Sequence, residues 1–291
     1  MSITILDGGM GQELIHRYGK APTPLWSTHV MMNEPELVRG VHDDYFAAGA
    51  KVATTNTYAI HRDRLQRQDQ LLESKFEDLH RTACEIANQS RDSHGAGLIA
   101  GSIGPLGFSY RPDLSFPPEE AAELFSEIIK IHEPDVDLHL IETVSSIEHA
   151  RGCLMGASTS SKPVWLAVTV SDEDGTKLRS GEDVTEIKAV VKEFGPEMLL
   201  LNCSTPEAIG QAIPLLSDIG IPFGAYANGF TFITSSFTEA ETVDQLEART
   251  DLGPDAYADI CAEWTRMGVT AIGGCCEVGP AHIAELNRRF C

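Results

Sequence analysis

Short, nearly continuous runs of apolar and β-branched residues recur eight times along the chain: Ile3–Leu6, Lys51–Thr55, Gly97–Gly101, Val136–Ile141, Val164–Val170, Met198–Leu201, Pro222–Tyr226 and Val269–Ile272. Half-exposed antiparallel strands would alternate apolar with polar positions, whereas strands covered on both faces read as unbroken runs, so these suit a parallel sheet. Between them lie segments with apolar residues at helical spacing. Glu36–Ala48 carries Leu37, Val41, Tyr45 and Phe46, and Glu119–His132 carries Ala122, Phe125, Ile128 and Ile129. Val184–Phe194, Pro206–Leu216, Pro254–Met267 and Pro280–Phe290 repeat the theme, and Pro206 and Pro280 stand where a first helical turn accepts proline. Eight strand–helix alternations in 291 residues predict an α/β fold, a (β/α)8 TIM barrel forming one domain over residues 1–291. An open doubly wound sheet is the alternative, because periodicity alone does not show closure.

In a barrel of this kind the chemistry sits where the strands end and the following loops begin. Those ends read Asp7-Gly8-Gly9, Asn56-Thr57-Tyr58, Ser102-Ile103-Gly104, Glu142-Thr143, Ser171-Asp172, Asn202-Cys203, Asn228-Gly229 and Gly274-Cys275-Cys276, all polar or glycine-rich. Two adjacent cysteines after two glycines are the least ordinary of these. Neighbouring side chains on a strand point to opposite faces, so Cys275 and Cys276 reach one ion only if the chain leaves extended geometry, which Gly273 and Gly274 permit. With Cys203 they make three thiolates from two strand ends, leaving a fourth position open, the pattern of a catalytic zinc site. Other readings stand beside it. Cys203 alone suits a small core residue, and the adjacent pair suits a redox role. A vicinal disulfide is disfavoured, since neighbouring Cα atoms lie about 3.8 Å apart against roughly 4.4 to 6.8 Å for ordinary disulfides. Cys84, Cys153, Cys261 and Cys291 lack paired spacing and read as structural.

Composition narrows the picture further. With 43 acidic and 22 basic residues, a formal charge of -21 disfavours nucleic acid and anionic membranes as partners. No run approaches the roughly 20 apolar residues of a membrane helix. Seven cysteines and an uncharged opening, Met1-Ser2-Ile3-Thr4, point to a reducing cytoplasm rather than to secretion on a disulfide framework. Homo-oligomerisation is left open. Among the histidines, His61, His132, His139 and His282 lack catalytic company, and His132 and His282 read as solvent-facing or capping residues of helices. Gly101-Ser102-Ile103-Gly104 lacks the ending of a phosphate loop.

Taken together, Asp7-Gly8-Gly9-Met10, Thr55-Asn56-Thr57-Tyr58, Gly101-Ser102-Ile103-Gly104-Pro105, Glu142-Thr143, Asn202-Cys203 and Gly273-Gly274-Cys275-Cys276 resemble, in order and nearly end to end, the motifs of the homocysteine S-methyltransferase family. That family includes betaine-, S-methylmethionine- and cobalamin-dependent enzymes. The resemblance implies a (β/α)8 barrel with Zn2+ on Cys203, Cys275 and Cys276, and methyl transfer from a small cationic donor to homocysteine, giving methionine. A thiol bound to zinc is deprotonated, which makes it the nucleophile that a free thiol near pKa 8.5 is not at neutral pH. Asp7 and Glu142 are the candidates for the substrate ammonium, although an Asp before Gly-Gly also makes turns and a strand-end carboxylate also caps helices. The backbone of Gly8 and Gly9 suits the substrate carboxylate. Trp26 and Tyr58 offer faces to a cationic donor, and Thr143 and Asn202 complete the expected substrate-binding set. Leu25-Trp26-Ser27 and Glu142-Thr143 look more like the S-methylmethionine-dependent members than the betaine-dependent ones, and no cobalamin module is present. Glu277, where a third glycine is common, and Ala227, in Tyr226-Ala227-Asn228, depart from the family pattern. A non-catalytic zinc or amino-acid binding protein, or a thiol methyltransferase with another acceptor or with betaine as donor, are the alternatives.

Overall fold

The computed structural model describes residues 2–21, 23–114, 116–233 and 246–291. Its frame is one parallel sheet of eight strands: β1 (Thr4–Ile5), β2 (Val52–Thr54), β3 (Leu98–Ile103), β4 (Leu138–Val144), β5 (Val164–Val168), β6 (Met198–Asn202), β7 (Phe223–Tyr226) and β8 (Ala271–Ile272). Each falls within or across one of the predicted runs. The strands pair in the order β1-β8-β7-β6-β5-β4-β3-β2, and a parallel bridge between Leu6 and Val52 joins the two ends. The amide of Asp7 donates to the Val52 carbonyl at 2.9 Å and that of Lys51 to the Ile5 carbonyl at 2.7 Å. Every strand therefore neighbours its sequence neighbour, and the switch point of a doubly wound sheet does not occur; the architecture is a (β/α)8 barrel.

The unbroken apolar runs follow from burial on both faces. Along β6, Met198 and Leu200 join Leu140, Trp165, Ala167 and Ala271 inside the barrel, while Leu199 and Leu201 join the core under the helices. The covering layer consists of α1 (Met10–Tyr18), α2 (Trp26–Asn33), α3 (Pro35–Ala48), α4 (Arg62–Gln68), α5 (Gln70–Glu73), α6 (Phe76–His94), α7 (Pro118–His132), α8 (Ile147–Ala157), α9 (Ile187–Phe194), α10 (Pro206–Leu216), α11 (Pro254–Arg266) and α12 (Pro280–Phe290). Proline occupies the first turn of α10 and α12 as expected, and the Thr205 hydroxyl caps α10 by accepting from the Ala208 amide at 3.4 Å. None of the helices among the described residues is long and apolar enough to cross a membrane.

His282 does cap a helix, its Nδ1 accepting from the Gly279 amide at 3.2 Å. His132 corrects the expectation of a solvent-facing residue: it is fully buried, its Nε2 lies 2.8 Å from Nδ1 of His80, and its ring stacks toward that of His139. The helix turns it inward because Gly101 leaves room; a β-carbon there would sit 2.6 Å from His132 Nδ1. Cys84, Cys153 and Cys261 are buried as structural residues should be, and Cys291 is exposed at the terminus.

Candidate active site

The strand ends open into one cavity at the C-terminal face of the barrel, lined by Asp7, Gly8, Gly9, Trp26, Tyr58, Glu142 and the three cysteines, with Ser102 and Tyr226 beside them. The β1–α1 loop forms its floor because two glycines let it press against the loop after β8. A β-carbon at Gly8 would stand 2.0 Å from the Val278 carbonyl oxygen, and one at Gly9 2.4 Å from that of Cys275. This packing alters the role expected of Gly9. Its amide already donates to the Val278 carbonyl at 3.0 Å, so it is not available to a substrate carboxylate.

Asp7 and Glu142 are both buried in this cavity, and their hydrogen-bond donors are all neutral. Oδ2 of Asp7 accepts from the Thr54 amide at 2.7 Å and from its hydroxyl at 3.0 Å. Glu142 accepts from the Ser102 hydroxyl at 2.5 Å and the Tyr226 hydroxyl at 2.9 Å. Neither carboxylate has a basic partner among the described residues. Burial pushes the Asp7 carboxyl up to about 8, against the lowering by Thr54 and with a further rise from the Glu142 charge. Burial likewise raises Glu142, opposed by its two hydroxyl donors. Two desolvated acids without a counter-ion form a cation site that a ligand can complete.

Cys203 directly follows β6, and Cys275 and Cys276 follow β8, with β7 between the two strands. The structure brings all three to the cavity wall. Cys203 and Cys275 are joined as a disulfide, with Cα atoms 5.7 Å apart, a separation within the ordinary range. This bond differs from the expected absence of disulfides, and it became feasible because alternate strand ends converge across the barrel mouth. Cys276 is free, and burial, with the nearby Glu277 charge, pushes its thiol up to about 12. No group of three His, Cys, Asp or Glu side chains stands ready to hold a metal among the described residues. In their thiol form, the donor set nevertheless fits zinc: three sulfurs from two alternate strand ends, facing one cavity, suit a borderline-soft cation.

Trp26 and Tyr58 meet edge to face with ring centroids 6.1 Å apart on the cavity wall. Thr143 and Asn202 are placed differently from the expectation that they bind substrate. Both are fully buried behind the wall and bonded to one another, the Thr143 amide to Asn202 Oδ1 at 3.1 Å and Asn202 Nδ2 to Thr143 Oγ1 at 3.2 Å. They brace β4 against β6, since a strand-end side chain can turn toward its neighbouring loop as readily as toward the cavity. The brace holds a strained backbone. Non-glycine residues with positive φ among those described are Trp26, Tyr110, Thr143, Cys203 and Glu277; three line the cavity, and the other two directly follow Glu142 and Cys276. Strain of this kind persists where surrounding structure over-determines it, and it clusters at functional sites.

Sequence reasoning missed the partners that aim the acids, although Ser102 and Tyr226 both lie within strand-end segments it had singled out. It also missed Arg179. This side chain pairs with Asp172 at 3.1 Å, nearly buried, and donates to the Cys203 carbonyl at 3.3 Å, fixing the loop that carries the first cysteine.

A thiol cluster, two acids without a basic partner among the described residues and an aromatic wall share the C-terminal face of a (β/α)8 barrel, where enzymes of this fold carry their active sites. The sequence model of the homocysteine S-methyltransferase family matches residues 4–290, and the chain belongs to that family and is a methyltransferase. It is 29% identical to a homocysteine S-methyltransferase of Escherichia coli (strain K12), over 99% of this chain and 95% of that one. It is also 27% identical to homocysteine S-methyltransferase 4 of Zea mays, over 98% and 88% of the two chains. Among solved structures, the metallated form of the homocysteine methyltransferase MmuM from Escherichia coli superposes with a TM-score of 0.83 at 26% identity, covering 99% of this chain and 96% of that chain.

Proposed function

We propose that the chain transfers a methyl group from a sulfonium donor to the thiol of homocysteine, using zinc held by Cys203, Cys275 and Cys276. The observation that carries this reading is one cavity in which the cysteines stand with two buried carboxylates that lack a counter-ion. The relatives' names and the metallated neighbour support the acceptor and the metal. Zinc, when bound, supplies a Lewis-acidic position that lowers the pKa of a substrate thiol.

The chain's own residues then do the positioning. Asp7 and Glu142 take the ammonium of an amino-acid substrate, and the Ser102 and Tyr226 hydroxyls fix the direction of Glu142. Trp26 and Tyr58 present aromatic faces to the cationic donor. The S–CH3 bond forms as the donor's C–S bond breaks, its electron pair passing to the departing sulfur. The acceptor thiol gives up its proton to solvent before the transfer, and the donor leaves as a neutral thioether without needing a general acid. Charge disperses along this path, which a largely desolvated cavity favours. The test is kcat/KM for S-methylmethionine, S-adenosylmethionine and betaine with saturating homocysteine. S-methylmethionine should rank first; if betaine ranked first, the sulfonium assignment would be wrong while the acceptor assignment could stand.

A further inference from the structure

Two arginines line the cavity, both on α4, and they are partnered in different ways. Arg67 donates to Asp63 Oδ2 at 2.7 Å. Arg64 makes no hydrogen bond or ion pair to a carboxylate among the described residues, the Asp63 charge acting on it only at longer range: Nε donates to the Gly107 carbonyl and Nη2 to the Pro105 carbonyl, each at 3.1 Å, and Nη1 has no acceptor among the described residues. In a chain with 43 acidic and 22 basic residues, a cavity-lining guanidinium anchored only on neutral carbonyls is an unusual economy. Those carbonyls fix its plane on the loop after β3 and leave part of its donor fork unused. Burial also lowers its pKa, so a neighbouring anion would be favourable there.

The position of Arg64 relates it to the donor. Tyr58, which meets Trp26 edge to face, hydrogen-bonds Ser109 at 2.8 Å. The neighbouring Phe108 ring lies 5.9 Å from the Arg64 guanidinium carbon. A cation resting on the Trp26–Tyr58 wall shares its cavity with Arg64, whose guanidinium is anchored on the loop after β3, and with the acids carried by β4 and the β1–α1 loop. We propose that Arg64 recognises a carboxylate on the methyl donor, so that the cavity reads an amino-acid sulfonium at both of its charges. The inference rests on the sulfonium reading above and adds the residue that selects among sulfonium compounds.

The test compares S-methylmethionine with its carboxamide, which keeps the sulfonium and the shape but removes the negative charge. Both are assayed with saturating homocysteine on the wild-type enzyme, Arg64→Met and Arg64→Lys. Wild type should prefer the acid over the amide by about ten- to hundredfold in kcat/KM, the range for a charge-assisted hydrogen bond. Arg64→Met should lose that preference while homocysteine KM holds, and Arg64→Lys should retain part of it. Preference unchanged in Arg64→Met, equal loss for both donors, or no preference in wild type would each overturn the assignment, leaving Arg64 a staple of the 105–107 loop. Transfer from neither compound by the wild-type enzyme would instead sink the sulfonium reading, and this subsite with it.

Discussion

Two glutamates mark the two ends of β4, and they are held in opposite ways. Glu133, before the strand, accepts from the Ser161 amide and hydroxyl, the Ser160 hydroxyl and His139 at 2.6 to 3.0 Å. Although burial raises it, these donors hold its carboxyl down at about 2. Glu142, near the end of the strand, has two hydroxyls and a raised pKa. A carboxylate whose ionised form is fully solvated by protein belongs to the scaffold. One that is buried, faces a cavity and has no basic partner among the described residues suits the cationic ligand proposed above. The same contrast separates the cysteines, with Cys84, Cys153 and Cys261 sealed under helices while Cys203, Cys275 and Cys276 face the cavity.

The largest effect should come from breaking that contrast at sulfur. Cys276→Ser should lower zinc affinity of the reduced protein by more than about a hundredfold, since loss of even an outer partner of a metal ligand costs 10- to 100-fold. Activity should fall with it. Cys84→Ala, at a sealed thiol, should keep full zinc content. Metal analysis beside a methyl-transfer assay decides; equal zinc in both variants would assign Cys276 to packing.

The glutamates give the next effect in size. Glu142→Ala should weaken homocysteine binding about ten- to hundredfold, the equivalent of about 1.5 to 3 kcal/mol, without releasing zinc or lowering Tm. Glu133→Ala should do the reverse, leaving the homocysteine Kd alone and costing about 1 to 3 kcal/mol of stability as its donors lose their acceptor. Calorimetric binding and urea unfolding of the two variants separate the roles, and a shared phenotype would erase the distinction between the two ends.

How far the sequence anticipates this contrast depends on the kind of order involved. Burial of both faces writes each strand as an unbroken run, so all eight could be located, and with them the rim positions of Asp7, Glu142 and Cys203. What a run does not encode is which way a rim side chain turns. Thr143 and Asn202 stand at the same strand ends and turn toward each other. Ser102, on the strand paired with β4, and Tyr226, three strands away, both turn inward to meet Glu142, and the second contact depends on the curvature of the closed barrel. Arg64 was invisible for another reason: α4 is short and polar, with Leu65 as its only buried residue, so no apolar periodicity announces it. His132 occupies a helical position like any other until Gly101 opens a space for it.

The smallest effect is a difference of sign in the response to pH, and it follows from the same comparison. Asp7 titrates near 8 in the folded chain and at 3.8 when unfolded, so the unfolded state gives up its proton first. The stability associated with Asp7 is intact below pH 3.8 and is lost as pH rises toward 8. The scaffold groups run the other way. Glu133, held at about 2 against an ordinary 4.5, contributes stability that is present above pH 4.5 and lost as pH falls toward 2. His80 and His149, pushed down to about 3 and about 4 by burial, add a loss that begins as pH falls below 6.5, where the unfolded chain binds protons that the folded chain does not. Urea unfolding of the metal-free chain from pH 4 to 9 should therefore show a maximum with a falling limb on either side. Asp7→Asn should flatten the alkaline limb and steepen the acid limb, because the loss tied to Asp7 begins above pH 3.8 and, while the carboxyl is present, offsets part of the gain from the scaffold groups. An alkaline limb that survived the substitution would mean that Asp7 is not the strained acid of the cavity floor, and the ammonium site would then rest on Glu142 alone.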